Sequence, residues 1–275
     1  MQQLLKGKAV VEELRTQLQS LVEGRAGDAT LAIVLVGDDP ASHYYKNHLV
    51  KLSGTIGVQT KVCQLDEGET TANVVKVIKE LNEDEAIDGI LPMMPLPKQI
   101  NTDAVCEAIS PLKDIDCLTA QNAGLLYLGK SKWGPCTARA VMQTLKYYKI
   151  PLQGQNVVII GRSNVVGKPL IPMMLSENAT VTVCHSKTKN LPEIARQADV
   201  LVVAIGVTEF LTADMVKEGA VLIDVGINET QNGMVGDISA SALENASAYT
   251  PVPGGIGTVS SMMVMQTLLC KDKLS

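Results

Sequence analysis

Aromatic side chains are scarce in this chain and make up only 3% of its 275 residues. Positive charge is not in excess either, because 29 acidic residues outnumber 24 lysines and arginines and give a formal net charge of −5. Proteins that bind nucleic acid usually present a basic surface or aromatic side chains on which bases stack. We therefore expect no nucleic acid among the partners of this protein.

Long apolar runs are missing as well. No run approaches the roughly 20 residues that a membrane-spanning helix requires. Residues 1–8 lack the apolar core of a secretory signal. We expect a cytoplasmic protein that does not associate with membranes.

Histidine and paired cysteine, the usual ligands of structural metals, are also rare. The six cysteines and three histidines are scattered, without a C-x-x-C pair or the spacing of a zinc site. We interpret the cysteines as small buried or half-buried thiols in a reducing compartment, and we expect no bound metal.

The most informative stretch covers residues 156–169 and reads N-V-V-I-I-G-R-S-N-V-V-G-K-P. Its β-branched residues 157–160 predict a buried strand of a parallel sheet. Gly161 ends this strand, Gly167 permits close packing where a helix begins, and Pro169 suits a first helical turn. The stretch therefore predicts a strand, a turn and a helix in direct succession.

A turn of this kind can bind an anion. Backbone N–H groups at a helix start point outward, and the helix dipole favours negative charge there. Arg162 and Ser163 add a guanidinium and a hydroxyl group at the tip. We interpret the turn as the phosphate site of a nucleotide-binding βαβ unit. The turn departs from the standard G-x-G-x-x-G spacing. The alternative interpretation is therefore a strand–turn–helix corner in which the glycines serve only packing.

Both halves of the chain alternate between apolar strands and helical segments, which predicts an α/β protein with parallel sheets. Strands are predicted at residues 31–36, 58–65, 87–91, 157–160, 180–184, 200–204 and 221–225. Helices are predicted at residues 8–21, 41–53, 71–81, 102–109, 138–148, 169–176, 191–197, 212–217 and 259–270, with a loop at 111–129.

This alternation divides into two domains. Residues 1–139 with 258–275 are assigned to the first domain, and residues 140–257 to the second, a Rossmann-like dinucleotide-binding domain. Ligands of open parallel sheets bind at the carboxyl ends of the strands. The loop glycines Gly161, Gly206 and Gly226 therefore mark the cofactor side.

The end of the second strand in this domain distinguishes between cofactors. A carboxylate about 20 residues after the glycines normally holds the ribose 2′-hydroxyl of NAD, but residues 184–189 read C-H-S-K-T-K. Hydroxyl groups and cations, among them Arg162 across the pocket, would instead hold the 2′-phosphate of NADP. NADP is therefore favoured over NAD. Lys187 and Lys189 could equally belong to a solvated loop, and His185 could be a packed loop histidine.

Six motifs lie in order over nearly the whole chain. They are V-G-D-D-P-A-S at 36–42, K-D-I-D at 113–116, G-R-S-N-V-V-G-K-P at 161–169, N-A-T-V-T-V-C-H-S-K-T at 178–188, I-D-V-G-I-N at 223–228 and T-P-V-P-G-G-I-G at 250–257. Together they resemble the motifs of the bifunctional methylenetetrahydrofolate dehydrogenase/methenyltetrahydrofolate cyclohydrolase family.

The resemblance implies two α/β domains flanking a cleft, and a homodimer formed through the NADP domain. It also implies NADP on the phosphate turn and on the Ile227 loop, with Ser186 near the 2′-phosphate. The full set of predicted cofactor residues is Gly161, Arg162, Ser163, Val166, Gly167, His185, Ser186, Gly206, Gly226 and Ile227.

For the first domain, the resemblance implies a bound tetrahydrofolate one-carbon derivative. Its pterin would stack on Tyr45 and form a hydrogen bond with Asp116, and the loop with Pro253, Gly254 and Gly255 would line the same cleft. From the residues alone, Tyr45 could be an ordinary core aromatic and Asp116 a loop-capping aspartate.

Two catalytic positions depart from the family pattern. The family motif A-S-x-x-Y-x-x-x-K reads A-S-H-Y-Y-K-N-H-L here, so Leu49 stands at the position of the lysine. The motif V-Q-L-P-L-P reads P-M-M-P-L-P, so Met93 replaces the glutamine that partners that lysine. Aligning Tyr44 instead of Tyr45 with the tyrosine of the motif would put His48 in the place of the lysine, but Ala41 and Ser42 would then no longer match A-S. Residues 258–260, T-V-S, also replace the usual P-M-T.

These departures lead to a hypothesis about the reaction. We expect oxidation of methylenetetrahydrofolate with NADP, and weak or absent cyclohydrolase activity. Lys46, on the same predicted helix face as Leu49, is a candidate base that would keep the enzyme fully bifunctional. Two rival hypotheses are a homologue that binds folate or nucleotide without turnover, and an NAD(P) oxidoreductase with another substrate.

Overall fold

A computed structural model describes residues 2–25, 28–231 and 233–274, with side chains as far as residue 270. These residues form two compact units, each built on its own parallel β-sheet. The six-strand unit contains the chain up to Glu13 and residues 126–129 and 135–263. The three-strand unit contains residues 14–125 and 130–134 and the chain from Val264 onward. The predicted α/β class is confirmed.

The strands in chain order are β1 (Gln3–Leu4), β2 (Thr30–Val36), β3 (Gln59–Leu65), β4 (Gly89–Pro92), β5 (Asn156–Ile160), β6 (Thr180–Cys184), β7 (Val200–Val203), β8 (Ala220–Asp224), β9 (Asn228–Thr230), β10 (Gly233–Val235) and β11 (Ala246–Tyr249). The α-helices are α1 (Gly7–Glu23), α2 (Pro40–Ile56), α3 (Thr71–Glu83), α4 (Thr102–Glu107), α5 (Ala120–Tyr127), α6 (Cys136–Tyr147), α7 (Gly167–Ser176), α8 (Leu191–Ala195), α9 (Ala240–Leu243) and α10 (Ile256–Leu274). Among the described helices, none combines the length and the hydrophobicity that crossing a membrane requires.

The three-strand sheet has the order β3-β2-β4, with both neighbouring pairs parallel. Its central strand β2 is buried almost throughout, as expected for an apolar strand inside a parallel sheet. Helix α2 begins directly after this strand because the Asp39 carboxylate accepts the backbone N–H of Ser42 at 2.8 Å. Gly57, with φ +93°, ends the helix in the left-handed conformation. The predicted β-α-β-α-β order is confirmed.

The six-strand sheet has the order β1-β11-β8-β7-β5-β6, with all neighbouring pairs parallel. From β5 the chain continues to β6 on one side and then to β7 on the other. Such a reversal leaves a crevice beyond the carboxyl end of β5, where open parallel sheets bind ligands. The loops after β5, β6, β7 and β8 are therefore the candidate ligand side of this unit.

Several elements differ from the predictions. The loop predicted at residues 111–129 is wrong in part, because it includes helix α5. The helix predicted at residues 212–217 is only a 3₁₀ turn at Ala213–Met215. Strands β1, β9, β10 and β11 and helix α9 are two to four residues long. Elements this short show no hydrophobic period from which they could be predicted.

The two ends of the chain give the compact units different limits from the predicted domains. Strand β1 pairs with β11, so the start of the chain belongs to the six-strand sheet. The end of α10 belongs to the three-strand unit, where Leu268 lies against Gly89. The domain limits 1–139 with 258–275, and 140–257, stay a prediction.

The segment between α4 and α5 is fastened to the three-strand sheet. Ile90 of β4 donates its N–H to the carbonyl of Lys113 at 2.7 Å. The Lys113 ammonium in turn donates to three carbonyl oxygens at the end of α3, at 2.8–3.1 Å, from Leu81, Asn82 and Asp84. Lys113 thereby satisfies carbonyl groups at a helix end, where the dipole also favours a cation.

Replacing Lys113 with methionine should lower the free energy of unfolding by about 1–3 kcal/mol, because these carbonyl oxygens lose their donor. Lys79→Met, at an exposed position on α3, is the matched control and should change it by less than about 0.5 kcal/mol. Urea denaturation followed by circular dichroism measures both. Equal stability of the two variants would contradict the capping role.

Candidate active site

The turn between β5 and α7 has the geometry of an anion site. The Ser163 hydroxyl accepts the N–H of Val166 at 3.1 Å, and the Ser163 carbonyl accepts the N–H of Lys168 at 3.0 Å. These bonds close the turn and leave Arg162 exposed at its tip. Lys168 adds a second cation, which donates to the Asn164 side chain at 2.7 Å. A hydroxyl and two cations therefore stand at the start of α7.

Two glycines let the backbone segments of this turn approach each other. A Cβ atom at Gly167 would lie 2.1 Å from the carbonyl oxygen of Gly161. One at Gly161 would lie 2.3 Å from the carbonyl oxygen of Ala204. Gly161 also has φ +124°, which other residues rarely adopt. The glycines thus keep the carboxyl end of β5 free of side chains, as close approach of a phosphate to the backbone requires.

The loop after β6 is a tight turn without a carboxylate in residues 184–189. The N–H of His185 donates to the Thr188 hydroxyl at 2.8 Å, and the N–H of Lys187 donates to Nδ1 of His185 at 3.1 Å. The imidazole therefore holds the turn together. Ser186 and Lys187 are exposed and present a hydroxyl and an ammonium group to a ligand.

The loops after β7 and β8 carry the predicted cofactor residues Gly206, Gly226 and Ile227. The N–H of Gly206 donates to the Asp237 carboxylate at 3.0 Å, and the N–H of Gly226 donates to the Asp224 carboxylate at 3.0 Å. Ile227 is half exposed beside them. Both carboxylates are buried, so these loops are held by charged groups beneath them.

Helix α2 carries two of the predicted residues of the three-strand unit. Tyr45 is half-buried, whereas its neighbour Tyr44 is 77% exposed, so Tyr45 is the tyrosine that faces inward. Leu49 follows one helical turn later on the same face and is completely buried. His48, the other candidate for the position of the family lysine, is exposed.

Met93 is buried where the chain leaves β4, and its N–H donates to the carbonyl of Val34 at 2.8 Å. Met93 and Leu49 therefore both belong to the three-strand unit and are both buried. Neither side chain has a group that can donate or accept a proton.

The half-buried Asp116 lies on the loop that runs beside β4. The fully buried Asp114 organises this loop by accepting the N–H groups of Leu118 and Thr119, the Thr119 hydroxyl and the Asn122 amide at 2.8–3.0 Å. Asp114 thus provides a loop-capping carboxylate. The firmly held loop presents Asp116 in a defined place.

Pro253, Gly254 and Gly255 lie between β11 and α10 in the six-strand unit. The Gly254 carbonyl accepts the N–H of Gly7 at 2.8 Å, and the Gly255 carbonyl accepts the N–H of Thr258 at 3.2 Å. These bonds hold the backbone of the loop. Its contact with a substrate stays a prediction.

The sequence analysis predicted no role for four residues that shape these loops, namely Asp114, Lys168, Asp224 and Asp237. Asp224 lies two residues before Gly226, and Asp237 directly follows Gly236. An acidic residue close to a loop glycine is the signal that could have pointed to them.

A parallel sheet with a strand-order reversal, a glycine-lined anion turn and no carboxylate after β6 defines a nucleotide-binding α/β protein. Models of two tetrahydrofolate dehydrogenase/cyclohydrolase domains match the chain, the catalytic domain at residues 5–116 and the NAD(P)-binding domain at residues 135–274. The chain belongs to the tetrahydrofolate dehydrogenase/cyclohydrolase family. A nicotinamide dinucleotide is therefore its cofactor, and its substrates belong to the one-carbon derivatives of tetrahydrofolate.

Individual relatives agree with this assignment. The bifunctional protein FolD of Clostridium perfringens (strain SM101 / Type A) is 44% identical over 276 residues, covering 99% of each chain. The crystal structure of the bifunctional FolD enzyme from Campylobacter jejuni is similar with a TM-score of 0.95, 39% identity and full coverage of both chains. FolD from Trypanosoma brucei, complexed with NADP and an inhibitor, gives 0.90 at 30% identity and 98% coverage of both.

The buried carboxyl of Asp224 should make stability depend on pH. Burial raises its pKa to about 6, although backbone N–H donors act in the opposite direction. In the unfolded chain an aspartate has a pKa of about 3.9. The folded protein therefore binds the proton more tightly, and the contribution of Asp224 is present at low pH and lost as the pH rises from about 4 to about 6.

The measurement is guanidinium denaturation of the wild type and Asp224→Asn between about pH 4 and pH 7. The wild type should lose on the order of 3 kcal/mol relative to the variant across this window, and the difference should then stay constant. A difference that does not change with pH would contradict the assignment.

Proposed function

We propose that this protein is an NADP-dependent methylenetetrahydrofolate dehydrogenase with weak or absent cyclohydrolase activity. It would oxidise 5,10-methylenetetrahydrofolate to 5,10-methenyltetrahydrofolate. Membership of the family supports the substrate class. The hydroxyl and ammonium groups after β6 and the NADP complex of the trypanosomal relative support NADP over NAD.

The residues at the carboxyl edge of the six-strand sheet fit this cofactor. The turn after β5 excludes side chains and offers cations and N–H groups, which suits a diphosphate. When bound, NADP supplies the hydride acceptor. The residues proposed to hold it are Gly161, Arg162, Ser163, Val166, Gly167, His185, Ser186, Gly206, Gly226 and Ile227.

The three-strand unit would bind the folate. We assign the half-buried ring of Tyr45 to stacking on the pterin and the carboxylate of Asp116 to a hydrogen bond with it. The rigid attachment of the Asp116 loop to β4 supports this assignment, because precise orientation of the donor carbon is what the reaction needs. Pro253, Gly254 and Gly255 are proposed to contribute further substrate contacts.

Dehydrogenation does not require a protein acid or base. The carbon that gives up the hydride lies between two nitrogen atoms of the folate, and a nitrogen lone pair assists its departure. No side chain has to accept or donate a proton in this step. The protein therefore has to bind, orient and exclude water, which apolar residues near the pterin permit.

Cyclohydrolysis is different, because water must lose protons and the departing nitrogen must gain one. A positioned acid or base typically contributes about 10²–10⁴-fold to such a step. The family uses a lysine with a glutamine partner at the positions of Leu49 and Met93. The burial of two apolar side chains at these positions is the observation that carries the proposal.

Full bifunctionality is the second candidate, since the bacterial relatives cited above are named bifunctional. Lys46 would then be the base. It is half-buried and lies three residues before Leu49 on helix α2.

We also propose that the protein is a cytoplasmic homodimer formed through the six-strand unit. Among the described strands, β6 ends the six-strand sheet and pairs on one side only. An open edge of this kind can pair with another chain. Sedimentation velocity of the purified protein measures the mass in solution.

The purified enzyme should reduce NADP with methylenetetrahydrofolate, followed by absorbance of the reduced nicotinamide. Its hydrolysis of methenyltetrahydrofolate should stay within about twofold of the spontaneous rate, because no base serves the reaction. The double variant Leu49→Lys with Met93→Gln should raise that hydrolysis by up to about 10²-fold. Val50→Lys, which adds a lysine at the neighbouring, more exposed position, is the matched control.

Robust hydrolysis by the wild type would refute the loss of cyclohydrolase activity. Lys46→Ala would then separate the candidates, since it should abolish the activity if Lys46 is the base, whereas Lys51→Ala on the exposed side of α2 should not. Reduction of neither NADP nor NAD would favour a binding protein without turnover.

A further inference from the structure

The Asp237 carboxylate collects four hydrogen bonds in the six-strand unit. One oxygen accepts the N–H groups of Ile205 and Gly206 at 2.8 and 3.0 Å. The other accepts the N–H of Val207 and the side-chain amide of Asn228 at 2.9 and 3.0 Å. Three consecutive N–H groups of the loop after β7 therefore converge on one buried, negatively charged group.

A second buried carboxylate holds the backbone that carries Asp237. Asp224, the last residue of β8, accepts the N–H groups of Gly226, Asp237 and Ile238 at 2.9–3.0 Å. Asp224 thus ties the loop after β8 to the segment that carries Asp237, and Asp237 ties that segment to the loop after β7.

The backbone leaves room for these carboxylates only because two glycines lack a side chain. A Cβ atom at Gly226 would lie 2.1 Å from the Asp237 carboxylate, and one at Gly236 would lie 1.9 Å from that of Asp224. The charged groups fill the space beneath the loops. They are too deeply buried to contact a ligand at the loop surface.

We propose that Asp237 is a positioning residue for cofactor binding, which sets the loops after β7 and β8 before the cofactor arrives. This inference rests on the proposed assignment of Gly206, Gly226 and Ile227 to the cofactor. Loop N–H groups that are already bonded to a buried charge lose little conformational freedom when the cofactor binds. The entropic cost of ordering the loops is therefore smaller, and the affinity for the cofactor is higher.

Asp237→Asn tests the charge at nearly constant shape. A carboxylate accepts at both oxygens, whereas an amide has one oxygen and turns its NH₂ group towards two of the four donors. In the cofactor-free protein, amide hydrogen exchange at residues 205–207 should become about tenfold faster or more. The dissociation constant for NADP, measured by calorimetry, should rise by about tenfold or more.

Asp199→Asn is the matched control in the same unit. Its carboxylate accepts the N–H of Asn156 at 2.9 Å and pairs with Lys217. These groups lie at the amino ends of the strands, whereas the loops held by Asp237 lie at the carboxyl ends. This variant should leave the NADP dissociation constant and the exchange at residues 205–207 within about twofold, because it loses a comparable bond far from the loops.

Steady-state kinetics separate a loss of cofactor binding from general destabilisation of the protein, which would not raise KM for NADP alone. Asp237→Asn should raise KM for NADP with kcat nearly unchanged and with KM for the folate unchanged, because the loss falls on cofactor binding. If Asp237→Asn does not fold, Asn228→Ala is measured in its place. It removes a single donor to Asp237 and should give a smaller rise in KM for NADP.

Three results would overturn the inference. They are unprotected amides at residues 205–207 in the wild type, wild-type cofactor affinity in folded Asp237→Asn, and equal effects in Asp199→Asn. The hydrogen-exchange results do not depend on the reaction. If the loop amides are protected but the protein shows no dehydrogenase activity, the proposed function is refuted. The role of Asp237 in holding the loops then still stands.

Discussion

Buried carboxylates that accept backbone N–H groups are the interaction on which the candidate sites depend. Asp224 and Asp237 hold the loops at the carboxyl edge of the six-strand sheet, and Asp114 does the same for the Asp116 loop in the three-strand unit. A buried charge is costly unless it is fully hydrogen-bonded. The N–H donors offset part of this cost. By drawing several loop N–H groups to one point, each carboxylate turns a flexible connection into fixed geometry.

The two units present different chemical groups. The six-strand unit presents N–H groups, hydroxyls and cations around a turn from which side chains are excluded, which suits a dinucleotide. The three-strand unit buries Leu49 and Met93 where the family uses a lysine and a glutamine. Apolar side chains at these positions are compatible with hydride transfer, which needs alignment. Under the proposed function, they leave these two positions without a group that could move a proton for hydrolysis.

Much of the framework could be predicted because it has a strong period. The seven predicted strands are all present, and the strand, turn and helix predicted around Gly161 and Gly167 follow one another as β5 and α7. The short strands β1 and β11 could not be predicted, because each is stabilised by its neighbour in the sheet and not by a pattern of its own. Helix α5 was missed because its weakly amphipathic sequence gives no clear helical face.

The sequence by itself determined the α/β class, the positions of the loop glycines at the strand ends of the second sheet, and the exchange of two polar residues of the family motifs for apolar ones. These features depend on residue type and on spacing along the chain. Only the tertiary structure decided that Asp237 lies beneath residues 205–207, some thirty positions earlier in the chain. Hydrogen bonds between distant segments follow from the folded path of the backbone, and no local pattern of residues encodes them.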